Sequence, residues 1–338
     1  MIDAHSRENL QSSAGARFAP SHQAKLLEVR GDMLEMYARA VPAKCPGDDD
    51  NVEPAGLRRS QARSLGDSHW RLTLLHGPLL GVLLAGSSSA GETVWQEIAP
   101  DVRARLISSD TLKADGTMLV GLEIAMPVTT RTYWRVPGET GIPTELDLSS
   151  SQGVSLAAIH WPFPTIETSK GYLDYAYFGP TVVPFSVVLA SPAGAALQVT
   201  ALMGICLEIC VPASADFSLP LDTEPDPGQA LRLNQAMASV PIVWPADPSP
   251  FGDVAYTASE ELLRVEVVDP TVDLHSIIAD VGDPDTLFGA PIMASDGQTV
   301  SLPLLATSRG VAFNGGPVRL TFMTSGGPYE LWLEATSM

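Results

Sequence analysis

From Thr93 onward, short runs rich in Val, Leu, Ile and Thr are broken by Gly, Pro and Asp. Val102–Ser108, Thr117–Pro127, Arg131–Val136, Val154–Trp161, Val182–Ala190, Ala196–Ile205 and Ala215–Leu221 each have the length and composition of a strand. About seven strands in about 130 residues predict an antiparallel sandwich. Gly138–Pro143 and Ser191–Gly194 supply turn-rich connections between them. Asp222-Thr-Glu-Pro-Asp-Pro-Gly228 then reads as a polar, proline-rich linker and a domain boundary. After it, Gln229–Ser239 is compatible with a helix. Strands return at Leu262–Val268, Val300–Leu305, Val318–Thr324 and Tyr329–Ala335. The predicted class is all-β: a sandwich, then a second β-rich domain with one short helix.

The pattern upstream is different. Residues 1–56 hold one amphipathic stretch, Ala24–Val41, with Leu26, Leu27, Leu34 and Tyr37 toward one side. Cys45-Pro-Gly and the acidic run Asp48–Asp50 follow, with the composition of disorder. Arg58, Arg59, Arg63 and Arg71 then precede the apolar run Leu72–Ala85, which ends in Gly-Ser-Ser-Ser-Ala90. A basic region, a short apolar region and small residues at Ser88 and Ala90 are the layout of a signal peptide. Gly77-Pro78 would interrupt a spanning helix, although a buried core helix is a competing assignment for so short a run. The stretch ahead of it is far longer than a usual basic region, so the expected translation start lies downstream of Met1. The expected organisation is a leader over 1–56, a signal peptide over 57–90, a sandwich over 91–222 and a second domain over 223–338.

Charge sharpens this picture. Residues 1–90 carry ten basic and ten acidic side chains, so the whole formal charge of −19 belongs to residues 91–338. Repulsion therefore disfavours nucleic acid and anionic membrane surfaces as partners. Motifs add exclusions: there is no phosphate loop, no GxGxxG, no HExxH and no GxSxG elbow. After residue 90 the histidines are His160 and His275, and a packed or hydrogen-bonded role is expected for His160 beside Trp161. Asp280, Asp283 and Asp285 read as solvated loop charges.

What remains is cysteine. The chain has three, and with Cys45 in the leader the expected mature protein keeps Cys206 and Cys210, between two strand-like runs. As a structural staple the pair is badly placed, because so short a loop yields only about 2 kcal/mol against about 4.7 for a loop of about 100 residues. Zinc wants four ligands, and no second CxxC accompanies the pair. Met203 could add a soft thioether to two thiolates, which leaves Cu(I) open. Glu208 lies between the cysteines, and the nearest cations in sequence are Lys170 and Arg232. Local charge alone would therefore raise the thiol pKa values.

Several blocks together resemble a known family: Thr132-Tyr-Trp-Arg-Val-Pro-Gly-Glu-Thr-Gly-Ile-Pro143, Ile159-His-Trp-Pro-Phe-Pro164, Gly171-Tyr172, Val183-Pro184 and Ile205-Cys-Leu-Glu-Ile-Cys-Val-Pro212. Over residues 94–221 the chain resembles the N-terminal periplasmic domain of DsbD-type thiol:disulfide interchange proteins, in the ScsB-like branch linked to copper tolerance. Residues 223–338 are similar to the second extracytoplasmic β-domain of that branch. The resemblance implies an immunoglobulin-like sandwich whose redox-active pair is Cys206 and Cys210, with no cofactor and no metal. It also implies an aromatic cap loop, for which Tyr172, Tyr175, Tyr177 and Phe178 are candidates, although packing is the default role for them. In the family, electrons arrive from a membrane-embedded domain by way of a thioredoxin-like domain and pass to periplasmic proteins. This sequence has neither of those two domains. The expected partners are therefore periplasmic thioredoxin-like proteins and a separate membrane electron donor, with no stable membrane insertion of the mature chain. The competing expectation is a non-enzymatic periplasmic binding or copper-handling module, whose cysteine pair is structural or chelates Cu(I).

Overall fold

The computed structural model describes residues 91–338 except 192–193, 222–224, 246 and 308–311. The leader, the signal segment and Cys45 lie outside the described residues. Eleven strands come first: β1 (Gln96–Ala99), β2 (Val102–Leu112), β3 (Thr117–Ala125), β4 (Arg131–Gly138), β5 (Glu145–Asp147), β6 (Val154–Ile159), β7 (Thr165–Glu167), β8 (Asp174–Phe178), β9 (Thr181–Leu189), β10 (Ala196–Cys206) and β11 (Cys210–Pro220). They form two antiparallel sheets, in the orders β1-β2-β3-β9-β6 and β11-β10-β4-β8-β7, with β5 on β10. The expected immunoglobulin-like sandwich is the observed one.

Period-2 patterning explains why these strands form. In β11, Ala213, Ala215, Phe217 and Leu219 are buried while Pro212, Ser214, Asp216 and Ser218 face out. The inward side chains meet Leu106, Val120, Leu122, Phe185 and Val187 of the facing sheet in one core. Strand β8 escapes that pattern because Asp174, Tyr175, Ala176 and Tyr177 are all buried. Tyr175 and Tyr177 are therefore strand residues packed in a core, and cannot serve as a loop over the cysteines. The Tyr177 hydroxyl donates to the Pro162 carbonyl at 2.7 Å.

Next comes the helix α1 (Pro227–Met237), with Asp226 as its cap. Sequence had assigned this helix to the second unit, but its contacts are with β2, β3 and β9 of the sandwich. Leu233 is fully buried there, and a Cβ at Gly121 would lie 2.7 Å from its Cδ2, so only glycine leaves room for it. Arg232 pairs with Glu123 at 3.0 Å, and Glu123 also receives Arg105 at 2.6 Å. The Asp226 carboxylate accepts from the Gly228 and Gln229 amides at 2.9 and 3.1 Å. Asp226→Ala is expected to lower stability by about 1 kcal/mol in urea unfolding, the usual worth of such a cap. An unchanged midpoint would mean that the helix contributes nothing to the transition.

The second unit is a nine-stranded sheet: β12 (Ile242–Val243), β13 (Phe251–Thr257), β14 (Leu262–Val267), β15 (Ile278–Asp280), β16 (Leu287–Phe288), β17 (Ile292–Met293), β18 (Thr299–Ala306), β19 (Gly316–Thr324) and β20 (Gly327–Ser337). Its path runs β15-β19-β20-β13-β14-β18-β16, with its own core around Phe251, Phe288, Leu302 and Phe322. A further apolar cluster joins the units: Trp134, Tyr175 and Val183 from the sandwich pack with Ile278 and Leu287.

Beside this cluster sits Asp280, fully buried, which overturns its assignment as a solvated loop charge. Arg135 Nη2 reaches its Oδ2 at 3.1 Å and Arg319 Nη2 its Oδ1 at 2.8 Å, while Arg135 also donates to Thr321 Oγ1 at 2.7 Å. The reason is electrostatic: a carboxylate with two guanidiniums can leave water, whereas one without partners cannot.

Candidate functional site

Strands β10 and β11 pair along their whole length, from Ala196↔Pro220 to Cys206↔Cys210. The cysteines are thus the last matched pair of a hairpin whose tip, Leu207-Glu208-Ile209, is exposed. A disulfide joins them across a Cα–Cα distance of 4.1 Å. The bond closes a loop with a sequence separation of only 4, so it removes little entropy from the unfolded chain, worth about 2 kcal/mol. Cys206 is buried at 1% exposure, whereas Cys210 is only partly buried. Cys206 is therefore the more enclosed residue of the pair.

Behind both lies Tyr133 of β4, itself fully buried. Its hydroxyl is 3.0 Å from Cys206 Sγ and 3.0 Å from Cys210 Sγ. Two glycines fix the ring in place. A Cβ at Gly141 would lie 2.4 Å from Tyr133 Cδ1, and one at Gly204 would lie 3.1 Å from Cδ2 and 2.9 Å from the Ile142 Cβ. Phe178 packs beside Tyr133, Ala176 and Cys206, so of the four cap candidates it is the one in the cysteine cluster.

The fold also supplies a cation that local sequence did not. Arg131 is the β4 residue in register with Cys206, and its Nε donates to the Tyr133 hydroxyl at 3.2 Å. Its Nη2 lies 3.5 Å from Asp174 Oδ2, and Asp174 is held by the Thr140 hydroxyl at 2.7 Å and the Thr140 amide at 3.1 Å. Burial works against the Arg131 charge, but the Tyr133 hydrogen bond, with Tyr172 and Asp174 also facing it, raises its pKa. Local charge is thus only part of the setting: Glu208 is exposed at the tip, and the fold places an arginine one side chain from the sulfurs.

The remaining candidates lie elsewhere. His160 Nε2 and Ser186 Oγ are 2.7 Å apart, and burial, followed by repulsion from Lys113, lowers the histidine's pKa. His275 is exposed, its Nδ1 3.6 Å from Asp273. Met203 is fully buried in the sandwich core, three residues from Cys206 and so on the opposite face of β10. It cannot act as a thioether partner to the sulfurs. Among the described residues no three His, Cys, Asp or Glu side chains gather as a metal site.

The fold that carries this site has known counterparts. Residues 103–222 match the family described as thiol:disulfide interchange protein DsbD, N-terminal. Over that stretch the sandwich matches the DsbD N-terminal family. The crystal structure of the N-terminal periplasmic domain of ScsB from Proteus mirabilis superposes with a TM-score of 0.57 at 21% identity, over 74% of this chain and 100% of that one. At that identity the likeness is one of fold, and its extent exceeds what residues 103–222 alone supply. No curated protein matches the chain. Sequence missed Tyr133 and Arg131 as site residues, although Tyr133 stands inside the first block that carries the DsbD resemblance.

Proposed function

We propose that the DsbD-type domain exchanges dithiol for disulfide with redox partner proteins through Cys206 and Cys210. The observation that supports this is the asymmetry of the pair, a partly buried Cys210 beside a buried Cys206, with one tyrosine hydroxyl 3.0 Å from each sulfur. In the accepting direction, a partner thiolate attacks Cys210 Sγ along the S–S axis. The partner's electron pair forms a new S–S bond to Cys210, and the old bond's pair leaves on Cys206 as a thiolate. The partner's second thiolate then attacks its own sulfur in the mixed disulfide and releases Cys210 reduced. In the donating direction the order reverses, and Cys206 resolves the mixed disulfide. Tyr133 donates its hydroxyl hydrogen to the thiolate that forms, which favours departure of that sulfur.

The setting that fits this chemistry is the periplasm, reached by the signal peptide over 57–90. Thioredoxin-like proteins would be the exchange partners, and a separate membrane protein would be the electron donor. Residues 91–222 would carry the redox site and residues 223–338 a second β-rich domain. Gel-shift alkylation tests the exchange: reduced thioredoxin-like protein mixed with the oxidised chain should transfer its electrons to Cys206 and Cys210 within minutes. An oxidised pair that persists through that incubation would sink the proposal.

Leu207 and Ile209 are 55% and 77% exposed on either side of Glu208. A partner reaching Cys210 must cover them. Ile209→Ser should cut kcat/KM for exchange about tenfold, the worth of one buried aliphatic side chain, and leave the reduction potential unchanged. Equal loss with a small-molecule dithiol would place the effect on the disulfide instead of on docking.

A further inference from the structure

The Arg131–Asp174 pair invites a question that exchange chemistry alone does not answer. Arg131 is 5% exposed and Asp174 fully buried, and withdrawing two such charges from water is costly. The functional group that Arg131 does touch is the Tyr133 hydroxyl.

That contact has a consequence for the proton. A phenol has one hydrogen and two acceptor lone pairs. With Arg131 Nε–H donating into it at 3.2 Å, the oxygen is occupied as an acceptor on that side. Its own hydrogen is left to point at the sulfurs, 3.0 Å away. The guanidinium's charge also makes that oxygen a poorer acceptor for the hydrogen of a neutral Cys206 thiol and a better donor to the thiolate. We infer that Arg131, held by Asp174 and Thr140, is a positioning residue: it fixes Tyr133 as a donor and thereby favours the Cys206 thiolate. This deepens the thiol-exchange proposal and rests on it.

The surrounding charges define what is being tested. Strand β4 contributes Arg131 and Tyr133, β8 contributes Asp174, and Tyr172 faces the guanidinium from the segment before β8. Glu167 of β7 also lies within electrostatic reach of Arg131, and Glu208 stands exposed at the hairpin tip. All the carboxylates oppose a thiolate. Arg131 is the cation in the set, and it acts through the tyrosine.

The test is the pKa of Cys206, followed by ultraviolet thiolate absorbance in a Cys45→Ser/Cys210→Ser chain where it is the sole thiol. Arg131→Met should raise that pKa by about one unit, Tyr133→Phe by a similar amount, and the double variant by no more than Tyr133→Phe alone. Arg131→Met strands the Asp174 carboxylate, so Arg131→Met/Asp174→Asn is measured beside it and should show the same shift. No shift in either arginine variant would overturn the inference. So would a full further shift from Arg131→Met on the Tyr133→Phe background, since the arginine would then act on sulfur directly. The readout needs no partner, so a failed shift leaves exchange itself standing. Conversely, loss of exchange by the unmutated chain, with the shifts present, would fail the exchange proposal alone.

Discussion

Replacing Cys206 with serine should abolish two-electron turnover and leave a chain that accumulates a mixed disulfide with its partner. The remaining Cys210 is the less buried residue of the pair, so its thiol is expected still to attack a partner disulfide. With no second thiol behind it, nothing on this protein resolves the product. The converse variant is expected to behave differently. Cys210→Ser leaves a thiol that is 1% exposed and covered by Tyr133 and Phe178, so neither turnover nor a trapped complex should form. Non-reducing electrophoresis after mixing each variant with an oxidised thioredoxin-like protein reads both outcomes. Equal trapping by the two variants would contradict the assignment of an outer and an inner sulfur.

Asp280→Ala should cost about 3 kcal/mol, because it leaves two buried guanidiniums with only Glu330, at 3.6 and 4.0 Å, to offset them. Arg135 belongs to the strand that carries Tyr133, while Asp280 and Arg319 belong to the second unit, so the loss falls on the junction between them. Urea unfolding should move to a lower midpoint or split into two transitions. The pH dependence has a definite sign. Burial is the largest influence on Asp280 and would raise its pKa, but Arg135 and Arg319 outweigh it and hold the carboxyl below the ordinary 3.8. A depressed folded pKa means that the stabilisation is fully present above the free-aspartate value and is lost as pH falls through the lower folded one. The unmutated chain should therefore lose stability below about pH 4 more steeply than Asp280→Ala does. Parallel acid limbs, or a loss of stability under about 1 kcal/mol, would show that the Asp280 cluster is not the anchor described.

Which parts of this protein could be read from sequence follows from how far each feature reaches along the chain. Strands such as β11 alternate between core and solvent, and that alternation is written in consecutive residues. Strand β8 is covered on both faces, so its signal is a run of aromatics that looks as much like a loop cap as a strand. The helix was legible from its composition after Asp226-Pro227, but its docking face was not, since Leu233 fits only because Gly121 is bare. The cysteine pair stood out because its partners are four residues apart. Tyr133 and Arg131 reach it across more than seventy residues, and no local spacing encodes that. Asp280 misled for the same reason, since one of its two cations lies 145 positions upstream.

The measurement that bears most directly on the central claim is the reduction potential of Cys206/Cys210 in a Cys45→Ser chain, equilibrated against glutathione or dithiothreitol. A value between about −120 and −270 mV, where dedicated exchange proteins lie, is the predicted result. A value below about −300 mV would mark a structural bond that cellular dithiols do not open, and would contradict a redox role for the hairpin tip.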